Sequence, residues 1–172
     1  VAVTGSVGKT STKEALRHVL SAQAPTSASA ASYNNHIGVP LTLAAVPRSA
    51  RFAVIEIGTN HPGEMAPLSR QARPDVAVVT TIGQAHLENF GTVDEIAREK
   101  AAVMAGMKGG TAVFNRDNAY FARLVELASQ YGVERVVGFG RHAEADMRLL
   151  DSRGDADGSQ ARVNYRGREF VY

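Results

Sequence analysis

The chain contains no cysteine. That removes a disulfide framework and any thiolate metal site, and it suits a reducing, cytoplasmic setting, which is the expected location. No apolar run approaches the ~20 residues a membrane-crossing helix needs. No block of basic residues or basic patch interleaved with aromatics occurs, and the formal net charge is only +2. Nucleic acid is therefore not an indicated partner, and no membrane insertion is expected. There is no internal repeat. No signal peptide precedes Val1, and a strand pattern starts at once, as expected of a piece of a longer protein.

What the chain does have is alternation. Its 172 residues are 44% hydrophobic, suited to one domain with a real core. Buried-strand patterns fall at Val1–Thr4, in "RFAVIEIG", "PDVAVVTTIG", "GGTAVFN" and "ERVVGFG". Between them lie helical patterns: Thr10–Gln23 with Ala15, Leu16, Val19 and Leu20 on one face, "GVPLTLAAV" with Pro40 in its first turn, and "HPGEMAPLSRQA". Thr92 and Glu95 form a capping box that predicts a helix from Val93 to about Met107. A further helix is expected over Asp117–Tyr131, stopped by Gly132. "TSASAASYNNHIG" reads as a short strand or loop. The pattern predicts an α/β fold of the phosphate-loop type, a mostly parallel sheet with helices on both faces. After Gly140 the style changes to alternating strands, with turns at Asp157-Gly158 and Arg166-Gly167. Residues 141–172 are thus expected to form a small antiparallel extension.

The opening "VAVTGSVGKTSTKEAL" places a Gly-rich turn between a strand and a helix. Such a turn makes an anion site from backbone N–H groups and the helix dipole. Lys9 would reach the β- and γ-phosphates, and the Thr10 hydroxyl would hold Mg²⁺. Gly5, Ser6, Val7, Gly8 and Ser11 complete the expected cradle for ATP. The usual G-x-x-x-x-G-K-[ST] pattern requires glycine where Val3 stands, so the match is partial. A guanine-reading N-K-x-D segment is absent, and "NRDN" carries Arg116 in place of its lysine.

The short loop form T-G-S-V-G-K-T-S-T-K-E resembles that of the Mur ligases, the amide-forming enzymes of peptidoglycan synthesis. "SYNNHIGVPLTL", "EIGTNHPGEM", "TTIGQAHLENFG" and "IAREK" are similar to segments of the branch that adds a dipeptide. The likeness runs from Val1 to about Gly140. It implies that residues 1–172 form the central, ATP-binding domain of a three-domain enzyme. In that enzyme an amino-terminal domain would hold UDP-N-acetylmuramoyl-tripeptide and a carboxy-terminal one D-alanyl-D-alanine. An isolated central domain would fold but lack ligase activity. Another Mur or folylpolyglutamate-type ligase domain is the nearest alternative. A phosphate-loop kinase, a GTPase or a nucleotide-binding module without activity of its own lies further off. The family usually carries Asn where Thr81 stands.

The resemblance also implies roles for single residues. Glu56 ends an apolar strand at the sheet edge where ligands bind, and would be a Mg²⁺ ligand; a solvated or ion-paired carboxylate is the alternative reading. His86 would hold a second Mg²⁺, and its imidazole makes Mn²⁺ an acceptable substitute. Lys100 would carry a CO₂-derived carbamate facing that ion, which requires the lysine to be partly desolvated. Read without the family, it is a solvated helix lysine paired with a nearby glutamate. In the family an Asn of this segment contacts adenine, so Asn115 and Asn118 would do so, with helix capping as their alternative reading; Asp117 is expected to cap the following helix. Asn34, Asn35 and His61 would face the UDP-linked peptide; as plain residues they read as turn formers.

Overall fold

The computed structural model describes residues 1–172 apart from His86 and 155–157. Among the described residues nine strands form one sheet in the order β2-β3-β1-β4-β5-β6-β7-β8-β9. The strands are β1 (Ala2–Thr4), β2 (Thr26–Ala28), β3 (Phe52–Glu56), β4 (Val76–Val79), β5 (Thr111–Asn115), β6 (Arg135–Gly140), β7 (Met147–Gly154), β8 (Ser159–Tyr165) and β9 (Arg168–Val171). The helices are α1 (Lys9–Ser21), α2 (Gly38–Ala44), α3 (Met65–Ala72), α4 (Leu87–Phe90), α5 (Val93–Ala101) and α6 (Phe121–Gln130). Strands β2 through β6 are parallel, and β7, β8 and β9 pair antiparallel. The fold is thus the expected α/β architecture.

Several boundaries differ from the sequence expectation. The Thr92–Glu95 capping box is present, but α5 ends at Ala101 and tightens into a 3₁₀ turn, Ala102–Met104. Helix α6 starts at Phe121 rather than Asp117, because Asn115, Asp117 and Asn118 spend their side chains on local backbone and loop bonds. Strand β7 joins β6 in parallel through Phe139–Met147 and Gly140–Arg148 before the antiparallel hairpins begin. The turn at Arg166-Gly167 is as expected: both residues have positive φ, 53° and 79°, the geometry of a two-residue hairpin loop. The expected turn at Asp157-Gly158 includes a residue outside those described. Of the four apolar residues expected on one face of α1, only Leu16 and Leu20 pack inward; Ala15 is exposed and Val19 is 52% exposed.

Connection handedness explains how the helices are distributed. From β1 to β2 the chain moves one way along the sheet; from β2 through β3, β4 and β5 to β6 it moves the other way. Right-handed crossovers then put α1 on one face and the later helices on the opposite one. The second face holds the main core, where Ala2, Ile55, Ala77, Val79, Ala112 and Phe114 meet Met65, Leu68, Ile96, Ala101 and Leu124. On α1's face Val3, Val54 and Val78 pack with Leu16 and Leu20. There Val76, Val78, Val113 and Phe139 line an open apolar cavity of about 390 Å³.

The two faces therefore respond differently to truncation. Phe114 is fully buried and meets Phe121 edge-on at 6.4 Å. Phe114→Ala is expected to lower unfolding free energy by about 3–5 kcal/mol, and Val113→Ala, next along β5 on the open face, by about 1 kcal/mol. Urea denaturation of both variants checks this; equal losses would contradict the asymmetry.

Candidate functional site

Strands β1, β3 and β4 end at the same edge of the sheet, and the loops leaving them form the site. Gly5 has φ 145° and Gly8 has φ 83°, conformations that L side chains rarely adopt. Space is as restrictive as angle at Gly5, where an added Cβ would lie 2.0 Å from Thr80 Oγ1. The loop is fastened to the end of β4. Ser6 N donates to Thr81 O at 2.9 Å, Gly83 N donates to Ser6 Oγ at 2.9 Å, and Thr80 Oγ1 donates to Val7 O at 2.5 Å. Gly8 is the N-cap of α1, with no side chain capping the helix. Among the described residues nothing accepts from the amides of Val7, Gly8, Lys9, Thr10 and Ser11. Open amides at the start of a 13-residue helix are what a phosphate group needs. Lys9 arches back over the loop, its Nζ donating to Gly5 O at 2.9 Å.

Beside Lys9 lies a cavity of about 350 Å³. Asn34, Asn35 and His61 line it with Lys9, so four residues singled out from sequence converge there, joined by Thr59 and Glu64. Asn35 Oδ1 accepts from Ile37 N and Gly38 N at 3.1 and 2.9 Å and so steadies the start of α2. His61 is exposed, and its Nδ1 lies 3.3 Å from Glu64 Oε1.

Glu56 is 1% exposed at the end of β3. Its Oε1 accepts from Asn34 Nδ2 at 2.7 Å, and its backbone N donates to Ser29 Oγ at 3.0 Å. Among the described residues its Oε2 has no hydrogen-bond partner. A buried carboxylate oxygen left bare is costly, and a bound cation would relieve it. Lys100 is 2% exposed and donates to Thr59 Oγ1 at 2.9 Å and to Thr59 O at 3.3 Å. Burial, reinforced by the charge of Lys9, lowers its pKa to about 8, against smaller opposing effects of Glu99 and Glu64. The desolvation that a reactive lysine requires is therefore present. Among the described residues no three His, Asp or Glu side chains converge as a metal cage. His86 lies outside the described residues.

Asn115 and Asn118 stand apart from this cavity, where β5 leaves the sheet. Asn118 is fully engaged: Nδ2 donates to Thr81 Oγ1 at 2.9 Å and to Ile82 O at 2.8 Å, and Oδ1 accepts from Tyr120 N at 2.9 Å. Among the described residues Asn115 has only its Oδ1 committed, to Asp117 N at 2.9 Å. Asp117 is not a helix cap; its carboxylate accepts from the amides of Arg141 and His142 and ties β5 to the loop after β6. Those bonds, Arg141's first, outweigh desolvation and hold its pKa below the usual aspartate value. Arg116, in the place of a guanine-reading lysine, stacks over Phe121 at 4.3 Å and pairs with Glu144.

Sequence reasoning passed over several residues on which the site rests. Thr80 clamps the loop, Thr59 receives Lys100, and Glu99 accepts from Gly63 N and Met65 N at the start of α3. Lys13 is fully buried. Its spacing of four from Lys9 was the available signal, since it puts two like charges on one helix face.

This arrangement of parallel sheet, open-amide glycine loop and adjacent lysine defines a phosphate-binding-loop nucleotide domain. Comparison with known proteins narrows the class. The family described as "Mur ligase middle domain" matches residues 3–171, and the chain belongs to that family. It is 33% identical over 151 residues to the UDP-N-acetylmuramoyl-tripeptide–D-alanyl-D-alanine ligase of Rickettsia prowazekii, covering 87% of this chain and 34% of that protein. Against the Escherichia coli ligase of the same name the identity is 43% over 119 residues, 69% of this chain and 26% of the other. The MurF structure from Acinetobacter baumannii superposes with a TM-score of 0.90 at 30% identity, over 99% of this chain and 37% of that one. MurF from Thermotoga maritima, solved in complex with ADP, gives 0.86 at 30% identity, over 99% of this chain and 39% of that one. The chain thus spans about a third of the length of the relatives it matches.

The loop's tolerance is a direct test of this geometry. Gly5→Ala is expected to destabilise the fold by about 1–3 kcal/mol, through its φ and its collision with Thr80. Thermal melts read the effect; an unchanged midpoint would show that the loop is not held against β4.

Proposed function

We propose that the chain is the ATP-binding domain of a ligase that joins D-alanyl-D-alanine to UDP-N-acetylmuramoyl-tripeptide. The observation that carries this reading is the set of unclaimed amides from Val7 to Ser11 beside the Lys9 cavity, with the bare Glu56 Oε2 buried nearby. In the reaction the tripeptide carboxylate attacks the γ-phosphorus of ATP and ADP departs. The dipeptide amine then attacks the acyl carbon and phosphate leaves. Both steps place negative charge on oxygen, where fixed donors and cations lower the barrier most.

The chain's own residues divide these tasks. The loop amides hold the phosphates, and Lys9 leaves Gly5 O to meet them. The Thr10 hydroxyl and Glu56 are the oxygen donors for Mg²⁺, or Mn²⁺ in its place. When bound, the ion supplies positive charge against the phosphoryl oxygens. Lys100, its pKa lowered by burial so that a fraction is neutral, is the amine that would take up CO₂ and present a carbamate oxygen; His86 is its proposed companion. Asn115, with its amide nitrogen open, faces the adenine, and Asn118 shapes that pocket. Asn34, Asn35 and His61 meet the peptide substrate in the cavity. A GTPase reading has less support, because Arg116 is committed to Phe121 and Glu144. No described helix is long and apolar enough to cross a membrane.

The test is product analysis on the full-length protein with ATP, Mg²⁺, UDP-N-acetylmuramoyl-tripeptide and D-alanyl-D-alanine. ADP should appear only when the tripeptide is supplied. Lys9→Ala should lower turnover by at least about 10²–10³-fold without unfolding the protein. ADP release at an equal rate in water alone would identify a hydrolase instead.

Carbamate formation carries its own pH signature. CO₂ reacts with the neutral amine. A pKa of about 8 leaves roughly a tenth of Lys100 neutral at pH 7 and most of it neutral at pH 9. The ¹³C carbamate signal in labelled bicarbonate is therefore expected to rise between pH 7 and pH 9 and to vanish in Lys100→Arg. A signal that persists in that variant would place the carbamate elsewhere.

A further inference from the structure

Lys13 is among the largest fully buried side chains of the described residues, and the proposed reaction gives it no task. It lies on α1 one turn after Lys9. All three ammonium hydrogens have acceptors: Ser29 O at 2.8 Å, Ala31 O at 2.9 Å and Glu14 Oε1 at 2.8 Å. With no exposure at all, it cannot meet a ligand itself. Burying an ammonium costs several kcal/mol before its partners offset it, and an apolar side chain of that length would fill the space without that cost. What the charge adds is a fixed distance between α1 and the backbone of residues 29–31.

That backbone leads to Glu56. Ser29 Oγ accepts from Glu56 N at 3.0 Å. Ala31 holds φ at 44°, a left-handed conformation uncommon for alanine, and the chain then turns into Asn34. Asn34 donates through Nδ2 to Glu56 Oε1 at 2.7 Å, and its carbonyl accepts from Gly58 N at 2.8 Å. Glu56 is therefore gripped at both its backbone and its carboxylate by a segment that Lys13 anchors. The anchor sits on the same helix that carries Lys9 and Thr10.

We infer that Lys13 is a positioning residue that sets the Glu56 carboxylate, through Ser29–Ala31 and Asn34, at a fixed place relative to the phosphate loop. The inference rests on the proposed reading of Glu56 as a metal ligand. A cation shared between a loop-bound phosphate and a carboxylate tolerates little error in their separation. Residues that orient metal ligands commonly change metal affinity by about 10–100-fold when removed. Replacing Lys13 by a neutral side chain leaves two carbonyls without their donor and frees the Asn34 segment to shift.

The experiment uses the full-length protein, Mn²⁺ as an EPR-visible probe and a non-hydrolysable ATP analogue. Two affinities are measured: the analogue without metal, and Mn²⁺ for the analogue-bound protein. Lys13→Met should weaken Mn²⁺ by about tenfold or more while metal-free analogue binding stays as in the wild type. A merely structural lysine would lower the melting temperature and leave the Mn²⁺ affinity of the folded fraction unchanged; that result overturns the proposal. Should Lys13→Met not fold, Ser29→Ala tests the same linkage by deleting one hydroxyl. It must also weaken Mn²⁺ selectively, and wild-type Mn²⁺ affinity there overturns the proposal equally. Glu56→Gln separates the two readings. If it keeps Mn²⁺, Glu56 is not a ligand and both readings fall. If it loses Mn²⁺ while folded Lys13→Met keeps it, only the positioning role falls.

Discussion

The phosphate loop and the end of β4 approach so closely that no side chain fits between Gly5 and Thr80. Much of the site follows from this contact. Thr80 and Ser6 bind the loop to β4 and to the segment after it, so the open amides are presented by a sheet edge rather than by a free turn. The segment after β4 also carries Thr81 and Ile82, which take both Nδ2 hydrogens of Asn118. Phosphate end and proposed adenine end are thus held by one short stretch of backbone. Such a site is rigid before any ligand arrives, which lowers the ordering cost of binding.

The second constraint is charge. Lys13, Glu56, Glu99 and Lys100 are all buried, and each has directional partners except at Glu56 Oε2. Buried charges are poor contributors to stability, and apolar replacements often do as well or better. Glu99 shows a structural use, holding the backbone at the start of α3. Glu56 and Lys100 show the opposite balance: one oxygen bare, one ammonium driven towards neutrality. On the proposed reading, groups left in that state are where the fold gives up stability for chemistry.

The strand–helix alternation was legible because parallel strands buried on both faces are nearly continuous in Val, Ile and Ala, and their helices are not. The Thr92–Glu95 box was legible because both halves of a capping box lie within four residues. The start of α6 was not, since Asp117 looks like a cap locally and is claimed by Arg141 and His142, more than twenty residues away. The parallel pairing of β7 with β6 was hidden by the alternating pattern that β7 shares with its hairpin partners. Of the candidate site, the loop and the Asn34, Asn35 and His61 group that lines the cavity with Lys9 stood out as motifs. Lys13, Thr59 and Glu99 did not, because their partners come from segments 16 to 41 residues distant. Apart from its like-charge spacing from Lys9, a buried lysine in a helix also reads like any solvated one.

Lys9 and Lys100 bring these threads together. They repel across the cavity wall, and that repulsion is part of what depresses Lys100. Phosphates arriving on the loop would neutralise Lys9 and add negative charge beside Lys100. Both changes favour its ammonium form. On the proposed reading, nucleotide would therefore oppose the modification of an unmodified lysine, whereas the nucleotide-free protein, with Lys9 unpaired by any anion, is the state in which the amine is most available. An existing carbamate meets the opposite situation. Its negative charge beside the phosphates is unfavourable unless a divalent cation lies between them. The same electrostatics thus argues for an order: carbamate first, then nucleotide and cation together.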